Sequence, residues 1–443
     1  FATETKVRGN YIGTDFTGTT IHPNRDGIQV AGNGSEISKN VISGNNSYGI
    51  VVTRYLQDDP IPSGNLIENN RIGIKGDGTI LIPNDESGIQ LDGTNNTVIR
   101  NVISGNTRYG IEVLRDSNII RDNKIGTNNE GDSARANGEA GIALLSSSNV
   151  IDMNVISGNV NAGIVILRES QISSSPPMNN SVTGNLIGTN AAGTVAIPNT
   201  ASGIIMADGA NNNTIGGTAS NARNIISGNA YDGILVQIGL AAGAVPPTQN
   251  KIQGNYIGTN IDGTAALPNG RNGILLSGAT STLIGGITTA IPSARNVISG
   301  NGSNGISLID GATQTRISGN YIGTKSDGAT ALGNTERGIR VGVSTSNTMI
   351  GGPEQNAGNT IAYNGANGIS LTSDAGNNNI IDPNRIFGNV LAGIDIGENG
   401  LTPNDPTDAD VGPNKLQNFP TFTLSIGGGD LIVNYRVDSA RSE

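Results

Sequence analysis

The chain has 443 residues, of which 65 are glycine and only 14 aromatic (9 Tyr plus 5 Phe, no Trp), with 14% charged; glycine stands at about twice its globular norm, so an aromatic-centred globular enzyme core is excluded. With no cysteine there are no disulfides, thiolate metal sites or cysteine nucleophiles, and a single histidine, His22, rules out a histidine cluster. The 26 basic against 36 acidic residues give a net charge of −10, which repels nucleic acid and anionic membrane surfaces, while 35% apolar content is too much for a disordered linker.

The opening residues FATETKVRGN contain neither a basic n-region nor an apolar h-region, so an export signal is expected to have been removed or to lie outside this sequence. No later apolar run approaches the ~18 residues needed to span a bilayer. From Asn10 onward the chain repeats. The motif N-x-I-G-T begins at Asn10, Asn70, Asn123, Asn185, Asn255 and Asn320, with a degenerate copy at Asn384. Between these copies N-V-I-S-G-N begins at Asn40, Asn101, Asn154, Asn224 and Asn296, and weakens at Asn359. After each comes Gly-Ile with alternating apolar residues, from Gly27 to Gly393.

Thirteen coils of three very short strands follow from this spacing. In GIQV, Ile28 and Val30 share one face and Gln29 takes the other. Strands of this length bury nothing alone, so they predict a solenoid whose coils pair in parallel over a continuous aliphatic column. Glycine in the SGN corner and before each Ile is expected at positive φ, and asparagine recurring at one corner is expected to form an amide ladder.

Every second coil carries a longer loop of the form GTxxxGTxxxPN, beginning at Gly13, Gly73, Gly126, Gly188, Gly258 and Gly323, the third and sixth copies lacking the proline. Residues such as Ile197 and Leu267 before the turn are expected to pack it against the rod, with His22 a solvated member of the first copy. Proline-containing insertions follow Val52, Leu167 and Val236, on coils 2, 6 and 8, where a groove would form beside a rigid scaffold.

The repeat stops near residue 400, dividing the chain into a β-helix over 1–400 and a linker with the start of a C-terminal β domain over 401–443. In LTPNDPTDADVGPNKLQNFP, Asp405, Asp408 and Asp410 with Asn404 and Asn414 supply hard oxygens of the kind calcium takes, although the spacing matches no EF-hand and an Asx-turn linker is the competing reading. TFTLSI and LIVNYRV around GGGD predict a hairpin. The chain is expected to be a piece of something longer.

The N-x-I…G-N…G-I coils, over about nine tenths of the chain, resemble the right-handed parallel β-helix superfamily of pectate-lyase-like enzymes and large secreted bacterial surface proteins. The resemblance implies an all-β solenoid with a C-terminal exit segment and hairpin. It also implies a secreted or cell-surface bacterial setting, in which such coils serve lyases, epimerases, adhesins and inert spacers alike.

Candidate functional residues lie on and beside the Gly-Ile strands. The outward position runs from Gln29 through Glu112 to Asp395 and is aliphatic at Val165, Ile205, Leu235 and Leu275. Those four are either covered by the insertions or form an interface for self-association. Arg54, Arg115 and Arg168 recur five residues after the glycine on alternate coils, Asp116 and Glu169 following two of them. At a pitch of roughly 10 Å, Arg54, Arg115, Arg168 and Asp208 are the candidates for binding a uronic-acid polymer, and Glu112, Arg115, Asp116, Arg168 and Glu169 those for catalysis or a cation. The competing reading makes them solvated loop charges. Tyr11, Tyr256 and Tyr321 offer aromatic faces to sugars or pack within the outer ladder. Two functions stand: a structural or adhesive extracellular element with a glycan partner, needing no cofactor, and a polysaccharide lyase, epimerase or glycoside hydrolase, with calcium as the one candidate ion.

Overall fold

The computed structural model describes residues 3–168, 175–239, 243–286, 294–400, 402–406, 410–418, 421–428 and 430–436. Each coil gives one strand to each of three parallel sheets, A, B and C, and each sheet holds 13 strands in coil order. Coil 1 comprises Lys6–Arg8, Tyr11–Ile12 and Ile28–Val30, and coil 13 comprises Ile380–Asp382, Arg385–Phe387 and Ile394–Gly397. This is the predicted solenoid. Alternation sends one row of each sheet inward: Ile37, Ile67 and Val98 align in sheet A, Ile42, Ile72 and Ile103 in sheet B, and Ile50, Ile89 and Ile111 in sheet C. All nine belong to one core that runs through the solenoid, each contributing about 1.5–3 kcal/mol when fully buried.

Asparagine ladders occupy all three corners rather than the single corner expected. Between sheets A and B, from Asn10 to Asn384, each side-chain amide and each backbone N–H donates to the Oδ1 of the next rung, as at Asn123 on Asn154, 3.0 and 2.9 Å. Between sheets B and C the run goes from Asn24 to Asn389. Up to coil 11 the rungs of even coils are the asparagines of SGN and those of odd coils come from the end of the long loop, such as Asn84 and Asn199; Asn364 and Asn389 continue the run in coils 12 and 13. The third ladder, between sheets C and A, links Asn65 to Asn250. Thr282, Thr315 and Thr348 then take the rung position, each with a buried hydroxyl that has no partner.

The glycines divide into two kinds, which corrects the expectation of positive φ for both. Gly105 in SGN has φ +80°. Gly88, before its Ile, is instead required by space: a Cβ there would lie 2.7 Å from Ile103 Cγ2 and from Asn106 Nδ2, and 2.8 Å from the carbonyl oxygen of Gly110. Left-handed backbone is also taken by non-glycine residues immediately before ladder asparagines, among them Arg100 and Met153 at φ 57° and 56°.

The long loops of coils 1, 3, 5, 7, 9 and 11 are flaps closed by antiparallel bridges such as Thr189 to Ala196. They fold over the outward row of sheet B. Gly263 approaches Tyr256 so closely that a Cβ would meet its ring at 2.8 Å, and Arg223 stacks on that ring at 4.0 Å. Ile197 is buried beneath its flap and Leu267 half-buried. Successive flaps also bond to each other: Ala191 N–H to Gly131 O, Ile261 N–H to Gly193 O and Ser326 N–H to Gly263 O, 2.7 to 2.9 Å. His22 is exposed.

The turn Pro413–Leu416 returns to the end of the rod, where Asn414 Oδ1 accepts the N–H of Asn379 at 3.0 Å as a terminal rung. Beyond it Thr421–Gly427 and Asp430–Arg436 pair as the expected hairpin, a sheet of its own. Among the described residues no helix is long and apolar enough to cross a membrane.

Candidate functional site

Sheet C presents its outward row as a floor. Strand register places Gln90, Glu112, Ala143, Val165, Ile205, Leu235, Leu275 and Ser307 side by side, as the Gly-Ile spacing predicts. Val165 is buried and packs with Ala143, Leu145 and Ala162, against the partly buried Leu114, Leu167 and Ile205. Leu235 and Leu275 are half-buried. The side chains flanking each strand thus cover this stripe in part.

At the N-terminal end of the stripe the floor turns polar. Gln90 Nε2 donates to Glu112 Oε2 at 2.9 Å and to the Tyr48 hydroxyl at 2.8 Å. Burial, followed by the charges of Glu112 and Glu86, pushes the Tyr48 hydroxyl above its ordinary pKa. Arg108 bridges Glu86 and Glu139 at 3.3 and 3.4 Å, tying coils 3, 4 and 5 along the edge of the floor. Glu112, selected from sequence as a cation holder, is buried and engaged in this network.

The predicted arginine row is resolved into separate pairs. Arg115 Nε donates to Asp92 Oδ1 at 2.6 Å, and Thr53 Oγ1 donates to the other oxygen of Asp92 at 3.0 Å. Arg168 faces Asp208 with two nitrogens, at 3.2 and 3.4 Å. Arg54 donates to the carbonyl of Gln57 within its own insertion. The row therefore does not form a continuous track of cations: Arg115 and Arg168 are drawn to acceptors on a neighbouring coil and Arg54 to one in its own insertion, acceptors the spacing of arginines alone does not reveal. Asp92 and Thr53 are the partners missed; the Asp92-Gly93 step after a sheet C strand is the only sequence signal for them.

Beside Arg115 lies an open cleft of about 530 Å³. Asp92, Thr94, Arg115, Asp116, Ser146 and Ser147 give it polar walls. Ile61, from the coil 2 insertion, joins Leu114 and Leu145 as its apolar lining, and Ser175 is a further lining residue. Asp116 Oδ1 accepts the N–H of Ser147 at 2.8 Å, which fixes the carboxylate at the rim. The structure thus brings together Arg115 and Asp116, leaves Arg54 and Arg168 out of the cleft lining, and joins Asp208 to Arg168. Glu169 and Asp408 lie outside the described residues.

Near the exit segment, Asn418 accepts the N–H of Asp405 at 2.9 Å and donates to its carbonyl at 2.7 Å. Asn414, counted among the oxygens for calcium, serves the terminal rung instead. Among the described residues no three His, Cys, Asp or Glu side chains converge as metal ligands. Tyr256 and Tyr321 lie against flap glycines and under Arg223 and Arg295, with Tyr11 against Gly18; they are packing residues of the outer ladder.

A family model described as the right-handed beta helix region matches residues 6–187. A comparison with curated proteins finds no match. Among solved structures the chain is similar to the tailspike protein of Dettilon, at 13% identity over 93% of this chain and 69% of that one, TM-score 0.49. It is similar to a double mutant of the periplasmic alginate epimerase AlgG, at 16% identity over 71% and 67%, TM-score 0.43. It is also similar to PfbA, a surface adhesin of Streptococcus pneumoniae, at 10% identity over 91% of each chain, TM-score 0.31.

Proposed function

We propose that this right-handed parallel β-helix repeat protein is a non-catalytic extracellular rod, a stalk or matrix element of a bacterial surface that holds position and presents its side to glycans. The observation that carries the reading is the pair of unbroken amide ladders, Asn10 to Asn384 and Asn24 to Asn389, which commit the commonest polar side chain to stacking along the axis. The arginines that would serve acid–base chemistry are likewise committed to Asp92 and Asp208. Thirteen coils at the parallel strand spacing give a stiff body about 60 Å long.

The test is incubation with acidic and neutral polysaccharides, with and without calcium, following unsaturated uronate absorbance, reducing ends and uronate epimer content. No product is expected. Turnover of any polymer would replace the rod with an enzyme.

A further inference from the structure

The cleft beside Arg115 combines four features that together define a ligand class. It is concave and, at about 530 Å³, within the range of small-ligand sites. Among the described residues its charged groups are Asp92, Asp116 and Arg115, two negative and one positive, on a chain of net charge −10. The one cation is already neutralised through its Nε by Asp92. That balance disfavours a carboxylate or sulfate ligand, and so departs from the uronic-acid polymer expected from the sequence.

The polar atoms left over are suited to hydroxyls. Among the described residues neither terminal nitrogen of Arg115 donates to a protein acceptor, because only its Nε faces Asp92. The second oxygen of Asp116 is likewise without a protein donor, its first being held by Ser147 N–H. A hydroxyl both donates and accepts, so one carbohydrate edge can take a guanidinium N–H while giving its own proton to a carboxylate. Ile61, Leu114 and Leu145 supply an apolar wall for the C–H face of a ring. The cleft's volume of about 530 Å³ leaves room for a few sugar rings and no more.

We propose that this cleft binds a short, neutral, hydroxyl-rich saccharide of one to three units, with Arg115 and Asp116 as its hydrogen-bonding pair. The site goes beyond the rod reading and rests on it in one respect only, that the ligand is held and not turned over.

The test is calorimetry and saturation-transfer NMR on the full chain with neutral gluco- and galacto-trisaccharides, and with tri-galacturonate as the anionic comparison. A neutral trisaccharide is expected to bind with a Kd of about 1 mM or tighter. Asp116→Asn keeps an oxygen for Ser147 N–H and Arg115→Lys keeps the charge beside Asp92, so both are expected to fold. Each should weaken binding by about tenfold, the loss of one hydrogen bond to a charged group. Preferential binding of tri-galacturonate would overturn the neutral assignment, and affinity unchanged in both variants would overturn the location. Silence of every saccharide at high concentration would remove the site while leaving the rod intact, whereas product formation would remove the rod reading and is scored by separate chemistry.

Discussion

Ser104 on coil 4 donates its hydroxyl to the carbonyl of Thr127 on coil 5 at 2.7 Å and accepts the N–H of Gly126 at 3.1 Å, so the corner of one coil clasps the root of the next coil's flap. Ser157, Ser227 and Ser299 repeat the contact with Thr189, Thr259 and Thr324 at 2.7 to 2.8 Å. Ala362 holds the same place in coil 12, and coil 13 above it has no flap. Even and odd coils are thus complementary. Ser104→Ala leaves the buried carbonyl of Thr127 unpaired, while the Gly126 N–H keeps its bond to the carbonyl of Ile103, and is expected to destabilise by about 2 kcal/mol. Ala362→Ser, with no flap to hold, should stay within about 0.5 kcal/mol of the parent. Denaturant midpoints of the two variants check the contrast, and equal effects would refute the clasp.

Ladder rungs should differ in sensitivity in a way the backbone alone does not predict. Asn154 Oδ1 accepts both the N–H and the side-chain amide of Asn123, and its own amide serves Ile120 O, Asp152 O and Asn185 Oδ1. Asn154→Ala is expected to destabilise by about 3 kcal/mol, since several buried groups lose partners at once. Thr348→Asn restores a rung where a buried hydroxyl has no partner, and a gain of about 1 kcal/mol is expected. Hydrogen exchange across coils 11 to 13 measures it without assuming two-state unfolding.

Acid should loosen some flaps and spare others. Asp15 accepts the N–H groups of Thr19 and Thr20, which with the Thr17 hydroxyl hold its carboxyl well below the usual range. Asp77 is lowered by Lys75 and then Thr79, and Asp327 is lowered to about 2 by the hydroxyl and N–H of Thr330 and the N–H of Ala329. In the other three flaps Asn128, Asn190 and Asn260 accept the equivalent bonds with an amide oxygen that does not titrate. A carboxylate lowered on folding stabilises fully above its unfolded pKa of about 4, and that contribution is lost as pH falls through the folded value. Amide exchange at Thr19, Thr79 and Thr330 should therefore accelerate relative to Thr194 and Thr264 between about pH 4 and about pH 2, after correction for intrinsic rates. Asp327→Asn should abolish the acceleration at Thr330; uniform behaviour across all six flaps would count against the assignment.

Gly88→Ala tests whether the glycine before each isoleucine is there for space. Its backbone tolerates alanine, but the added methyl meets Ile103, Asn106 and the carbonyl of Gly110 at 2.7 to 2.8 Å. A loss of about 2 kcal/mol is expected from overpacking. A neutral result would mean that the coils can part without penalty.

The coil count, the strand positions and the inward isoleucines are legible in the sequence because they depend on residues a few positions apart. The flap caps are legible only in hindsight: lysine at Lys75 and Lys325 coincides with aspartate two residues on, where the other flaps carry Asp or Asn at the lysine's position. What escapes the sequence is contact between coils. Arg115 meets Asp92 and Arg168 meets Asp208 across 23 and 40 residues, separations that vary with each flap and insertion. The same variation hides the fact that Asn84 and Asn199, which end long loops, stand in line with Asn45 and Asn159 of the SGN corners.

The ladder between sheets B and C also bears on how the rod ages. Several of its rungs are Asn-Gly steps: Asn137-Gly138, Asn269-Gly270, Asn301-Gly302 and Asn364-Gly365. In a free chain this is a dipeptide prone to losing its side-chain amide, because the glycine nitrogen can swing onto the asparagine carbonyl. Here each of those nitrogens is bonded to the carbonyl of the coil before, Gly138 to Asn106, Gly270 to Asn229, Gly302 to Asn269 and Gly365 to Asn334, at 2.8 to 2.9 Å. Stacking thus shelters chemically fragile steps by immobilising the attacking atom, and the rod's lifetime is set by how seldom its coils come apart.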